Sequence, residues 1–358
     1  MKAESRLSLI KQVGEEIVTE DELKRLLEKN KSPIVYDGFE PSGSNIHIAQ
    51  GLLRAINVNK MTKAGCKFIF LIADWHAWAN NKLGGDLEKI QKTGHYLIEI
   101  WKACGMDLSK VDFVWGSDIV KEEYYWEKVM KIALNNTVKR IIRCSQIMGR
   151  SENEVLSASQ ILYPCMQAAD IFHLKADLCQ LGMDQRKVNV LARETGPKIG
   201  YWKPVIVSHH MLMGLGSPPK KGTAVEKAMQ MKMSKSQPET AIFMTDSENE
   251  IRKKINNAYC PVKIIDENPV MEYAKYLVFE IFDTVKIERE KKFGGDIEIN
   301  NYEKLADIYR KGDLHPQDLK KAISHYTNKI ILPVREHFRK NKKAKRLMEE
   351  VKSFEVTR

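Results

Sequence analysis

The order of apolar and polar positions along the chain changes period several times, and each change marks an element. Residues 1–32 read as a peripheral helical segment, with Thr19 before Glu20, Asp21 and Glu22 as a cap and acidic first turn. Pro33 opens the short apolar run Ile34-Val35-Tyr36, a buried strand. A loop from Asp37 to Asn45 carries Gly38, Pro41 and Gly43. Ile48, Leu52, Ile56 and Met61 then recur at helical spacing, with Gly65 as the stop. Lys67 to Asp74 is almost wholly apolar, as a parallel strand covered on both faces must be. Strand, glycine-bearing loop, helix and strand make a βαβ unit, and that unit predicts a Rossmann-type, doubly wound parallel α/β sheet.

The alternation continues with a helix capped by Asp86 and a strand over Val111–Trp115. It is interrupted by a helical insertion at about 121–157, and resumes with strands near Asp177-Leu178-Cys179 and Pro204–Ser208. The character changes at Ser247, whose S-x-x-E with Glu250 is a capping box. The pattern therefore predicts a catalytic-type α/β domain at 33–246 and an all-α domain at 247–358.

Composition narrows the class of protein. With 358 residues, 43% hydrophobic and 29% charged, the chain is an ordinary globular protein large enough for more than one domain. A net charge of +11 favours a polyanionic partner. The tail from Arg335 to Arg346 adds seven basic residues against one acid, which suits a solvated helix face as well as an RNA contact. The six cysteines are scattered with no C-x-x-C pair, which argues against zinc knuckles and disulfides and for a reducing compartment, the cytosol. No apolar run approaches the roughly 18 residues of a membrane span, and His209-His210 have no further ligands at metal spacing.

Three stretches carry chemistry. Lys232-Met233-Ser234-Lys235-Ser236 sets two lysines and two hydroxyls on a loop, suited to a polyphosphate whose leaving group gains charge. The loop after the first strand leads through His47 into a helix start, where unpaired N–H groups favour phosphate. In Ile161–Gln185, Pro164 suits a first helical position and so puts Tyr163 at a helix start. Gln167 and Asp170 share one face among alanines and large apolar residues. A carboxylate in such company needs a hydrogen-bond donor, either structural or on a bound hydroxyl.

The run KMSKS is the signature of the class I aminoacyl-tRNA synthetases, and His47-Ile48-Ala49-Gln50 resembles their HIGH motif, with Gln50 and Ala49 as departures. The series YDGFEPSG, ADWHAW, YPCMQAADI, LGMDQRK, KMSKS, AYCP and HPQDLK resembles the archaeal/eukaryotic-type tyrosyl-tRNA synthetases, in that family's order. The resemblance implies activation of L-tyrosine with ATP and Mg²⁺, then transfer of tyrosyl to the 3′ end of tRNA(Tyr). It assigns the substrate hydroxyl to Tyr36 and Asp170, and the ammonium and carboxylate end to Tyr163, Gln167 and Gln185. Gly182 and Asp184 would meet the ribose, and Gly38 would allow close approach of the nucleotide. His47, Lys232, Ser234 and Lys235 would meet ATP and the departing pyrophosphate. Asp74 and His76 would line the pocket, and Met211-Leu212-Met213 would border the adenine. Phe293 and Asp318 would hold an anticodon base, making 247–358 an anticodon-binding domain. A homodimer joined through the insertion is implied, with no added C-terminal domain. A tryptophanyl-tRNA synthetase, a synthetase-derived RNA-binding protein and a nucleotidylyltransferase are the alternatives. Tyr36 with Asp170 argues against the first, because indole has no hydroxyl.

Overall fold

The computed structural model describes residues 1–149, 154–219, 231, 233 and 237–354. Its centre is a six-stranded sheet formed by β1 (Gly14–Val18), β2 (Ile34–Phe39), β3 (Lys67–Ile72), β4 (Val111–Trp115), β5 (Leu178–Gly182) and β6 (Val205–His209). The strands lie in the order β1-β6-β5-β2-β3-β4. From β6 to β4 every pairing is parallel, and β1 joins β6 antiparallel as the edge. The expected strands are all present. The N-terminal segment, expected to be helical, instead places β1 between the helices Ala3–Lys11 and Glu20–Lys29. The sequence Gly-Glu-Glu-Ile-Val can do this because an edge strand needs no continuous apolar run.

Alternation along β2 sends Val35 and Phe39 into the core on one face and Tyr36 into the core on the other. The first face is covered by the helices Arg54–Lys63 and Leu87–Ala103 and by the C-terminal region. The second is covered by the insertion helix Glu123–Leu134 and by Ala158–His173, which pack on each other. The connection into Arg54–Lys63 opens with one π-type turn, Ala49–Leu53, separated from His47 by Ile48 alone.

The capping predictions hold: Thr19 accepts from Glu22 N–H, Asp86 from Lys89 N–H, and Ser247 forms its box with Glu250. The region after Ser247 is mainly helical, ending in the long helix Pro316–Lys340 and then Lys342–Lys352. It also contains a small antiparallel hairpin, β7 (Val285–Ile287) with β8 (Ile297–Ile299), so it is not all-α. Each strand is three residues long, too short to show an alternating pattern.

Candidate active site

A cavity of ≈ 450 Å³ opens at the carboxyl ends of β2 and β5. These neighbours mark the point where the chain's connections diverge to the two halves of the sheet, the usual ligand crevice of such folds.

The inner end is built on the helix Ala158–His173. Tyr163, Gln167 and Asp170 recur at helical spacing on its buried face, and all three line the cavity. The helix begins earlier than the proline suggested. Ser157 and Gln160 form a reciprocal capping box, so Tyr163 and Pro164 lie in the interior rather than at the start. The box satisfies two N-terminal donors at once, which outweighs the single backbone bond that Pro164 removes.

Asp170 is fully buried and surrounded by donors. Tyr125 Oη donates to its Oδ1 at 2.9 Å, His76 Nε2 lies 3.0 Å from its Oδ2, and Tyr36 Oη donates to the same Oδ2 at a longer 3.4 Å. Burial, and then the Asp170 charge, push the phenols of Tyr36 and Tyr125 far above their ordinary range, so both remain donors. For His76, burial opposes the charged form, but Asp170 prevails and raises it above its ordinary value. The long Tyr36 contact matters chemically. A phenolic guest could donate to Asp170 and accept from Tyr36, inserting itself into the loosest link of the cluster.

At the middle of the cavity Tyr163 Oη donates to Glu40 Oε2 at 3.0 Å, and Asn80 Nδ2 donates to the same carboxylate. Gln167 Nε2 donates to Gln185 Oε1 at 3.0 Å, while Gln185 Nε2 is anchored on Ile147 O. These groups offer a carboxylate and amide dipoles to a zwitterionic guest. Asp74, expected beside His76, is absent from the lining. Its carboxylate is turned to the N–H groups of Trp75 and Ser117 and to Gln91, where it ties strand ends together.

The outer end carries His47, Gly38, Gly182 and Asp184, together with Met211, Leu212 and Met233. His47 and Gln50 bond reciprocally: Gln50 N–H donates to Nδ1 at 3.4 Å, and His47 N–H donates to Gln50 Oε1 at 3.3 Å. Backbone bonds Ile48 N–Ile242 O and Met244 N–Ile46 O, both 2.8 Å, stitch this loop to the run after the second signature. Met233, between Lys232 and Ser234, therefore faces the same cavity as His47, although the two are far apart in sequence. Lys232, Ser234 and Lys235 themselves lie outside the described residues. Gly38 and Gly182 have specific reasons to be glycine. A Cβ on Gly38 would stand 2.9 Å from Tyr36 Oη, and one on Gly182 would stand 2.6 Å from Met211 Sδ and 2.7 Å from Asp184 Oδ1. Met213 is buried outside the lining. His209 is bonded to the Gln180 side chain, and burial, followed by nearby Arg54, lowers it to about 3, so it is neutral.

Sequence reasoning missed Tyr125, Glu40 and the pair of buried Asp37 with Arg54, whose atoms are 3.2 Å apart and whose arginine lines the cavity. Burial raises Asp37 to about 7 against the pull of Arg54. Glu40 stands in the quoted YDGFEPSG stretch, and its signal was available. The two expected RNA residues lie well away in sequence. Phe293 is 60% exposed on the hairpin loop before Gly294, and Asp318 is in the first turn of Pro316–Lys340. Arg289 links that loop to Asp313 O at 2.7 Å, just ahead of the helix start.

Comparison with known proteins gives the family. The model of the class I tRNA synthetases (W and Y) matches residues 28–331. A cytoplasmic tyrosine–tRNA ligase of Arabidopsis thaliana is 53% identical over 360 residues, covering 100% of this chain and 90% of that protein. A Pyrococcus horikoshii tyrosyl-tRNA synthetase solved with L-tyrosine is 37% identical, with TM-score 0.90, over 98% of this chain and 100% of that one. The Leishmania major enzyme solved with tyrosinol is 44% identical, with TM-score 0.89. It covers 99% of this chain, which spans only 52% of the Leishmania chain. The fold and the family match thus define a class I tRNA synthetase of the tryptophan and tyrosine group. Within that group the chain belongs to the archaeal/eukaryotic-type tyrosyl-tRNA synthetases.

Proposed function

We propose that the chain is a tyrosine–tRNA ligase that joins L-tyrosine to ATP, releasing pyrophosphate, and then passes the tyrosyl group from the adenylate to the 3′ end of tRNA(Tyr). The observation that carries this reading is the Asp170 carboxylate, held by Tyr125, His76 and Tyr36 at the closed end of the cavity that His47 and Met233 border. A phenol hydroxyl fits there, and an indole would leave the buried polar groups unmatched. Tyr163, Gln167 and Gln185 then receive the ammonium and carboxylate end, with Glu40 as an added counter-charge.

From that position the substrate carboxylate attacks the α-phosphorus of ATP in line with the departing pyrophosphate. No covalent intermediate on the protein is required, and catalysis is positioning plus charge stabilisation. Gly38, Gly182 and Asp184 receive the nucleoside. His47, Lys232, Ser234 and Lys235 neutralise the phosphates, and Mg²⁺ enters with ATP as part of the substrate.

The basic balance of +11 supports a tRNA partner, and exposed Phe293 beside Gly294 supports base stacking at the anticodon, with Asp318 bonding the base edge. Tyr124, Met130, Leu134 and Val138 are exposed apolar side chains on the insertion, Leu134 at 80%, and they support a homodimer formed through it. Among the described residues no helix is long and apolar enough to cross a membrane, and the cytoplasmic Arabidopsis relative supports work in the cytosol. The test is ATP–pyrophosphate exchange with tyrosine, tryptophan and phenylalanine side by side, followed by charging of tRNA(Tyr). Exchange is expected with tyrosine alone. Exchange driven by tryptophan, or none with any of them, would overturn the proposal.

A further inference from the structure

A charged cluster beside the nucleotide end takes no part in the steps above. His210 follows β6 directly and lines the cavity, with its side chain 20% exposed. Its Nδ1 is 3.0 Å from Glu15 Oε2 on β1, and its Nε2 is 3.1 Å from Glu272 Oε2 on the helix Pro269–Tyr273. The ring stacks on Tyr276, with centroids 4.3 Å apart and planes 12° from parallel. One imidazole thus joins the edge strand, the cavity wall and the region beyond Ser247.

Glu272 has a second contact. Its Oε2 accepts the Met213 N–H at 2.9 Å. On either side of Met213, Leu212 O accepts the Met233 N–H at 3.2 Å and Gly214 N–H donates to Met231 O at 2.7 Å. Met231 and Met233 bracket Lys232. The segment from His210 to Gly214 is therefore tied to Glu272 and, through its own backbone, to both neighbours of the first signature lysine.

We propose that Glu272 is a positioning residue for the nucleotide end: by gripping His210 and the Met213 N–H it holds residues 210–214 in register with Met231 and Met233, so that the helical region helps set where ATP meets the second signature. The inference rests on the function proposed above. Groups facing His210 are Glu15, Glu272, Tyr276 and, across Tyr276, Lys275. Burial lowers the proton affinity of His210, but the two carboxylates more than reverse this and raise it to about 9, so the ring is charged at neutral pH. A carboxylate that accepts a backbone N–H and stands at ion-pair distance from an imidazolium resists small displacements. Displacements of about 1 Å near reacting groups cost on the order of 10²-fold in rate.

Exchange assays on the full chain test this. The wild type must first show tyrosine-dependent exchange, and if it does not, the proposed function fails rather than this inference. Glu272→Ala is expected to lower kcat/KM for ATP by about 10- to 100-fold, with the KM for tyrosine within about twofold. Glu272→Gln, whose amide oxygen can still accept the Met213 N–H, is expected to recover much of kcat. ATP parameters near wild type in Glu272→Ala would overturn the inference. So would ATP and tyrosine parameters falling together with no rescue by Gln. Should Glu272→Ala fail to fold, Glu15→Gln at the half-exposed side of the cluster carries the same test. A rise of about threefold in the KM for ATP is expected there, on the scale of a weakened partly exposed ion pair. No change would count against the proposal.

Discussion

Tyr125→Phe removes a single oxygen from the deepest part of the site. The ring is fully buried, packed edge-on against Trp126 and His173, so phenylalanine fills the same volume and only the hydroxyl is lost. That hydroxyl donates to Asp170 Oδ1 at 2.9 Å, with a weaker contact to Met166 O at 3.4 Å. A hydrogen bond to a charged group is worth about 1.5–3 kcal/mol net, and here no water can take the vacated place on a carboxylate that is 0% exposed. Part of that loss falls on folding, and the melting temperature should drop by several degrees. The rest falls on the orientation of Asp170, which must face the substrate hydroxyl. The expected result is a fall of about tenfold in kcat/KM for tyrosine, corresponding to about 1.4 kcal/mol. Exchange with varied tyrosine, alongside thermal melts, measures both quantities. If the melting temperature falls while the tyrosine parameters stay within about twofold of wild type, the hydroxyl only braces the fold and the argument that Asp170 depends on it is refuted.

Gly38→Ala would put a methyl 2.9 Å from Tyr36 Oη at the position where the nucleoside approaches, and overpacking of about 1–3 kcal/mol should raise the KM for tyrosine and that for ATP together, each about tenfold; an unchanged KM for ATP would remove Gly38 from the nucleotide end. Lys235→Ala should lower the activation rate by about 10²–10³, the scale of one preorganised charge donor, and unchanged exchange would remove Lys235 from the mechanism. Stability should depend on pH through His210. Its folded-state value of about 9 lies above the ordinary 6.5, so the stabilisation is complete below 6.5 and is lost as pH rises through about 9. The full shift is worth on the order of 3 kcal/mol, less what solvent takes from half-exposed Glu15. Melts from pH 6 to 10 should show this loss in the wild type and a flatter profile in His210→Gln; parallel profiles would exclude His210 as the source.

The sheet was readable because parallel strands buried on both faces must be nearly all apolar, as β3 is after Lys67. β1 was not, since its two glutamates suit an edge and its partner β6 lies at the far end of the domain sequence. Tyr163 was misread for a related reason: proline at a helix start is a local rule, and the Ser157 box upstream overrode it. Within the site, residues spelled by short motifs could be assigned one by one. The partners of Asp170 could not, because Tyr36 and Tyr125 reach it from 134 and 45 positions away, and Tyr125 reads in sequence as one more apolar residue of the insertion. Charge pairs such as Asp37–Arg54 and His210–Glu272 join residues 17 and 62 positions apart, which local periodicity does not encode.

The antiparallel strand Gly14–Val18 also bears on how the protein can be handled. It occupies the outer hydrogen-bonding side of Val205–His209, every residue of which is buried. A shortened version starting near residue 19 would leave that side bare, a ready template for pairing with other molecules and for precipitation. The same cut would strip Glu15 from His210, so poor solubility and impaired nucleotide handling should arrive together.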